Sequence, residues 1–134
     1  MARFSFEELK VYNRGRDLVK EIYNLQRSFP KEETFALGCQ IRRAAVSITA
    51  NIAEGSGRTS AKDKQHFIVI AYGSLTEAFS ELITACDLGY ITERDVEGIR
   101  PLFNEVAKML SGMRQASQKK IDAENISTRQ QINL

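Results

Sequence analysis

The chain contains few of the residues on which several classes of protein depend. Among 134 residues there are two prolines, two cysteines, one histidine and no tryptophan. So little proline, with little strand-like alternation of apolar and polar residues, predicts an all-α fold. Cys39 and Cys86 lack the C-x-x-C spacing of a zinc site, and the paired Glu-x-x-His motifs of a di-iron bundle are missing. We therefore expect no metal and no cofactor, and we expect both cysteines to be buried free thiols.

Motifs that indicate catalysis are also missing from the sequence. It has no haem-attachment motif C-x-x-C-H, no P-loop and no G-x-G-x-x-G. The short stretch Gly55–Gly57 is interpreted as a left-handed helix cap and turn rather than a phosphate loop. His66 is expected at the surface. With no catalytic residues indicated, we expect the protein not to be an enzyme.

Three carboxylates nevertheless leave one enzymatic alternative open. Glu54 lies near the end of the second predicted helix, and Glu77 and Glu81 share one face of the third. We expect these acids to pair with arginines or to cap backbone groups. A pocket lined by two of them, with a strongly raised pKa, would instead favour acid–base chemistry.

The overall charge and hydropathy place the protein among soluble single-domain proteins. Hydrophobic residues make up 43% and charged residues 27%, and the formal net charge is +2. The N-terminal residues have no apolar signal core, and no stretch reaches the roughly 20 apolar residues that span a bilayer. We therefore expect a cytoplasmic protein without a membrane partner. The densest basic group is the candidate nucleic-acid surface, because clustered arginines match phosphate geometry: Arg42, Arg43, Arg58, Lys62 and Lys64.

The apolar periodicity and the helix start and stop signals predict an antiparallel up-down-up-down four-helix bundle. A capping box at Ser5 and Glu8 is expected to open the first helix, and Pro30 to end it. The second helix is expected to start between residues 31 and 34 and to run to Gly55.

The second half of the chain has equally clear signals. Ser60 with Asp63 is expected to cap the third helix, which Gly89 ends, and Thr92 to cap the fourth, which Pro101 should bend. We place the bundle domain at residues 1–117. The polar residues 118–134 are expected to form a frayed or disordered tail.

The run from Ile41 to Arg58 carries two adjacent stripes on one predicted helix. Four-residue and three-residue steps align a polar stripe beside an apolar one, which suggests a helix packed on more than one side. Part of this stripe, with two acids of the third helix, is expected near a contact between subunits: Ser47, Asn51, Glu54, Glu77 and Glu81. We expect polar groups of the third helix to satisfy Ser47, Asn51 and Glu54.

The segment Asn51–Arg58, N-I-A-E-G-S-G-R, resembles the hallmark of the four-helix-bundle proteins associated with 23S rRNA intervening sequences, often labelled S23 ribosomal proteins. The resemblance continues through Gln65–Phe67, Ala71–Glu77, Asp87–Ile91 and Val106–Met113. This family is similar in fold to the accessory variability protein of diversity-generating retroelements.

The resemblance implies a barrel-like homopentamer for which no enzyme activity is established. It also implies nucleic-acid binding through a basic pentamer surface, so the expected partners are other copies of the chain and RNA or DNA. The alternative is a protein-interaction scaffold that binds a protein partner, such as a polymerase-type protein, and no nucleic acid.

Overall fold

The computed structural model describes residues 2–133 and, within that range, consists of four α-helices with no β-strand. The helices are α1 (Lys10–Gln26), α2 (Leu37–Ser56), α3 (Ala61–Asp87) and α4 (Glu93–Ile132). Short 3-10 helices, Ser5–Glu8 and Lys31–Glu33, precede α1 and α2. The expectation of an all-α protein with four helices is confirmed.

The four helices surround one hydrophobic core. Each helix contacts the next one along the chain, and α1 also contacts α4, which closes the ring of contacts. Every helix contributes side chains that solvent does not reach: Leu18, Ile22, Ile41, Ile48, Leu82, Val106 and Leu110. The full sets of buried residues in each helix recur mostly at three- and four-residue steps, so each helix buries one stripe.

The start signals of α3 and α4 and the end of α3 are as expected. The Ser60 hydroxyl accepts a hydrogen bond from the Asp63 amide (3.1 Å). At α4, Thr92 Oγ1 accepts from the Asp95 amide (3.1 Å), and the Asp95 carboxylate accepts from the Thr92 amide (2.9 Å). Gly89 follows α3 with φ 81°, a conformation that favours glycine.

The predicted start and end of α1 and the predicted start of α2 are wrong by several residues, whereas the predicted end of α2 at Gly55 is within one residue of its end at Ser56. The predicted capping box at Ser5 and Glu8 does not open α1. Instead, the Glu7 carboxylate accepts from the Phe4 backbone amide (2.7 Å) at the start of the first 3-10 helix, and α1 begins only at Lys10. α1 ends at Gln26, before Pro30, because residues 27–29 turn with i→i+3 hydrogen bonds. The 3-10 helix that follows Pro30 delays the start of α2 to Leu37.

The turn between α2 and α3 is not a left-handed cap. Gly57 follows α2 with φ −85° and ψ −4°, which is right-handed helical backbone. Gly55 is required for a different reason: a Cβ there would lie 3.0 Å from Phe67 Cβ. The glycine therefore lets the end of α2 approach the start of α3.

The polar C-terminal segment is helical rather than a separate tail. α4 continues without interruption from Glu93 to Ile132 and includes Pro101. Eight of the 15 residues at positions 118–132 are Gln, Lys, Ala, Glu or Arg, which favour helix, and none is Gly or Pro. The apolar pattern fades there because the helix has left the core; most residues beyond Ser117 are exposed.

α3 is more apolar than the sequence pattern indicated. An 18-residue window within Ala61–Asp87 has a mean hydropathy of 1.3, so by length and composition alone this one helix could cross a membrane. The expectation that no segment is long and apolar enough is therefore wrong for α3. A core helix of a soluble protein meets the same criterion, and the buried face of α3 packs between α2 and α4.

Candidate nucleic-acid interface

The polar stripe of α2 faces α3 at a shallow groove. Ser47 Oγ lies 2.7 Å from Ser74 Oγ of α3, so the two hydroxyls share a hydrogen bond. The Asn51 side-chain Nδ2 donates to the Ser47 backbone carbonyl (2.8 Å) and to the Ser47 hydroxyl (2.9 Å). The expectation that α3 satisfies this stripe is confirmed for Ser47, whereas Asn51 is satisfied within α2.

Two acids of α3 lie along the same side of that helix. Glu77 lines a groove cavity of about 300 Å³ together with Gln40, Arg43, Ser47 and Ser74. Glu81, one helical turn further on, is only 8% exposed, and its Oε2 has no hydrogen-bond partner within residues 2–133. The expectation that these acids pair with arginines or cap backbone groups is wrong for this Oε2.

The environment of Glu81 favours its neutral form. Burial, and then the negative charge of Glu77, raise the pKa of Glu81 to about 7. Glu77 is exposed, and Glu81 does not line the groove cavity. The groove cavity is therefore lined by the exposed acid Glu77, whereas the carboxyl with the raised pKa, that of Glu81, lies outside it, so the two acids do not converge on one cavity.

Glu54 has a local partner instead of one on α3. The Arg58 guanidinium donates to its carboxylate (3.1 Å), and the same guanidinium lies over the Phe67 ring, 4.7 Å from the centroid. Both charged side chains are about half exposed. The expectation that Glu54 pairs with an arginine is confirmed, and this pair fixes the guanidinium at the α2–α3 turn.

The five predicted basic residues do not form one surface in a single subunit. Arg42 and Arg43 lie near the start of α2, and Arg42 donates to the Thr34 carbonyl (2.8 Å). Arg43 precedes the end of α2 at Ser56 by 13 residues, which corresponds to about 20 Å along the helix axis. Arg58, Lys62 and Lys64 therefore lie at the other end of α2.

The structure adds three basic residues of α4 to that end. The Gln65 side-chain Nε2 donates to Oε1 of the Gln118 side chain (2.8 Å), which places the start of α3 beside this part of α4. Residues 58–64 contain three basic residues and one acid, and residues 114–120 contain three basic residues and no acid. We call these six residues the basic surface: Arg58, Lys62, Lys64, Arg114, Lys119 and Lys120.

The α4 half of the basic surface is absent from the residues predicted to bind nucleic acid. Lys119 and Lys120 fall in the segment that was expected to be disordered, so they were not combined with α3. The helix-forming composition of residues 118–132 was the available signal. Continuing the helix by two turns past Gly112 would have brought these lysines level with the start of α3.

The remaining candidates for chemistry are isolated from one another. His66 is exposed, as expected, whereas Cys39 and Cys86 are half-buried free thiols rather than fully buried ones. Burial raises the pKa of the Cys86 thiol. No group of three or more His, Cys, Asp and Glu side chains within residues 2–133 has the geometry to hold a metal ion.

The fold and these surfaces define a small all-α protein with a polar interhelical groove and a basic end. The profile of the 23S rRNA-intervening sequence protein family matches residues 7–112, and the chain belongs to this family. A similar solved structure is a protein of unknown function from the S23 ribosomal protein family of Bacteroides thetaiotaomicron. It is 28% identical, with a TM-score of 0.71 over 78% of this chain and 97% of that chain. No curated protein matches the sequence.

Proposed function

We propose that this protein is a non-enzymatic, cytoplasmic homo-oligomer that binds structured RNA or other nucleic acid through its basic surface. The main support for this proposal is that two basic segments, 58–64 and 114–120, lie side by side, because the Gln65–Gln118 hydrogen bond joins α3 and α4 at that point. The name of the family, which refers to an rRNA intervening sequence, agrees with an RNA ligand.

The charges of the basic surface suit a phosphate backbone. Within residues 2–133, the lysines at positions 62, 64, 119 and 120 make no ion pair of 4 Å or less. Each can therefore displace a counterion from a phosphate without first losing an acidic partner. Arg58 keeps its place through Glu54 and Phe67 and presents its remaining N–H groups.

We further propose antiparallel up-down-up-down topology and assembly into a homopentamer. The connections between α2 and α3 and between α3 and α4 are only a few residues long, which favours antiparallel neighbours. Val46 of α2 and Val69 of α3 are nearly half exposed, so apolar surface remains for a second copy to cover. Five copies of one weak basic surface would bind a polyanion with avidity.

Binding measured across a salt series tests the proposal. The ligands are a labelled RNA hairpin, a single-stranded RNA and a DNA duplex, each titrated by fluorescence anisotropy. One variant carries Lys62→Gln, Lys64→Gln, Lys119→Gln and Lys120→Gln. The matched control neutralises four exposed basic residues outside the basic surface: Lys20, Arg27, Lys31 and Arg94.

The expected result is a change in salt dependence confined to the first variant. For each subunit that contacts the nucleic acid, the negative slope of log K against log salt should become shallower by up to about 3. Four phosphate contacts are lost, and each contributes roughly 0.7–0.9 to the slope. The control should keep the parental slope. Equal slopes for the two variants would contradict the proposed surface.

A protein-interaction scaffold is the second candidate. Phe35 is 93% exposed and Leu88 55% exposed. The contact between Phe29 and Tyr90 (centroids 5.6 Å apart) brings their two connecting segments together at the end opposite the basic surface. An oligomer of constant mass that binds none of the three nucleic acids near physiological salt would favour this candidate.

A further inference from the structure

A cavity of about 400 Å³ opens beside the basic surface, between the N-terminal segment and the adjoining parts of α2, α3 and α4. Its volume is within the range of ordinary small-molecule sites, roughly 300–1,000 Å³. Leu9, Ile52, Ile68 and Met113 supply aliphatic walls. We call it the end cavity.

The end cavity is also lined by one cationic residue, Lys64, and by three serines: Ser5, Ser56 and Ser117. Lys64 is half-buried and makes no ion pair of 4 Å or less within residues 2–133. Ser117 is 8% exposed. A cavity with aliphatic walls and one cation that makes no ion pair among the described residues is complementary to a ligand with an alkyl body and an anionic head.

We propose that the end cavity binds an aliphatic carboxylate, whose alkyl chain packs on the walls while its head group pairs with the Lys64 ammonium. No aromatic side chain lines the cavity, so a nucleobase would lack a stacking partner there. A neutral alkane would leave the charge of Lys64 without a partner, whereas a carboxylate forms a charge-assisted hydrogen bond with it. This inference does not depend on nucleic-acid binding.

Calorimetric titration with hexanoate, octanoate and decanoate, below their micellar concentrations, tests whether the alkyl chain of the ligand is buried in the cavity. Each added methylene buried in the cavity should tighten binding about fourfold until the cavity is full. Octan-1-ol tests the head group and should bind at least tenfold more weakly than octanoate. Equal affinity for the alcohol and the carboxylate would overturn the role of Lys64.

Two pairs of variants test whether the carboxylate binds in the end cavity. Ala116→Phe narrows the cavity and should abolish binding, whereas Ala123→Phe, on an exposed part of the same helix, should not. Lys64→Gln should weaken binding about tenfold, and Lys62→Gln, which lies outside the cavity, should leave it unchanged. Circular dichroism melts show that each variant is folded. No binding by the parent, or equal binding by both phenylalanine variants, would overturn the proposal.

Discussion

Replacement of Glu81 by glutamine should make the protein more stable at neutral and alkaline pH. The Glu81 carboxyl is 8% exposed, and its Oε2 has no hydrogen-bond partner within the described residues. Burial and the charge of Glu77 raise its pKa from 4.5 to about 7. Glutamine keeps the shape of the side chain and removes the charge that the folded state disfavours.

The size and sign of the effect follow from that pKa. Since one pKa unit corresponds to ~1.4 kcal/mol, a rise from 4.5 to about 7 corresponds to at most about 3 kcal/mol. The folded chain holds the proton more tightly than the unfolded chain. The contribution of Glu81 to stability is therefore fully present below pH 4.5 and is lost as the pH rises to about 7.

Urea denaturation followed by far-UV circular dichroism, from pH 4 to pH 8 at one protein concentration, measures the effect. The free energy of unfolding of Glu81→Gln minus that of the parent should be nearly constant below pH 4.5 and rise by up to about 3 kcal/mol at pH 8. Glu77→Gln should shrink the pH dependence of the parent, because the repelling charge is gone. Glu124→Gln, at an exposed site on α4, is the control. A difference that does not vary with pH would refute this reasoning.

Further predictions concern the core, a cap and the groove. Leu110→Ala should lower the free energy of unfolding by about 2–5 kcal/mol, and Thr92→Ala by about 1 kcal/mol, both measured by urea denaturation. A double-mutant cycle of Ser47→Ala and Ser74→Ala should give a coupling energy of about 1 kcal/mol, and zero coupling would contradict the shared hydrogen bond. Asn51→Leu should reduce the oligomer mass by light scattering; an unchanged mass and melting temperature would count against an interface at the groove.

The helices were predictable where local chemistry alone decides them. Ser60 and Thr92 cap their helices with their own hydroxyls, and Gly89 needs only its own backbone conformation, so each signal can be read in a few residues. The connection between α1 and α2 was not predictable in this way. Pro30 marks a break, but periodicity cannot distinguish a three-residue 3-10 helix from the first turn of an α-helix.

The candidate site was predictable only in part because it depends on contacts between distant segments. Helical spacing aligns Glu77 with Glu81, yet it cannot show that only Glu81 is buried, since burial depends on the packing of α3 against its neighbours. Likewise, Lys119 lies at the same end of the protein as Lys62 only because α4 remains helical after its apolar residues become sparse. Apolar periodicity reports burial, so it disappears where a helix leaves the core even though the helix continues.

Assembly and nucleic-acid binding would use separate parts of each subunit. The groove lies between the first half of α2 and the middle of α3, whereas the basic surface lies at the α2–α3 turn and beside it on α4. A second copy that covers the groove would therefore leave Lys62 and Lys119 open to solvent. Glu77 lines the groove together with Arg43, so the groove carries charges of both signs. Two copies that meet at the groove would therefore repel each other less than if only arginines lined it. In the proposed oligomer, this separation would let a chain with a net charge of only +2 assemble and still present a basic surface in every subunit.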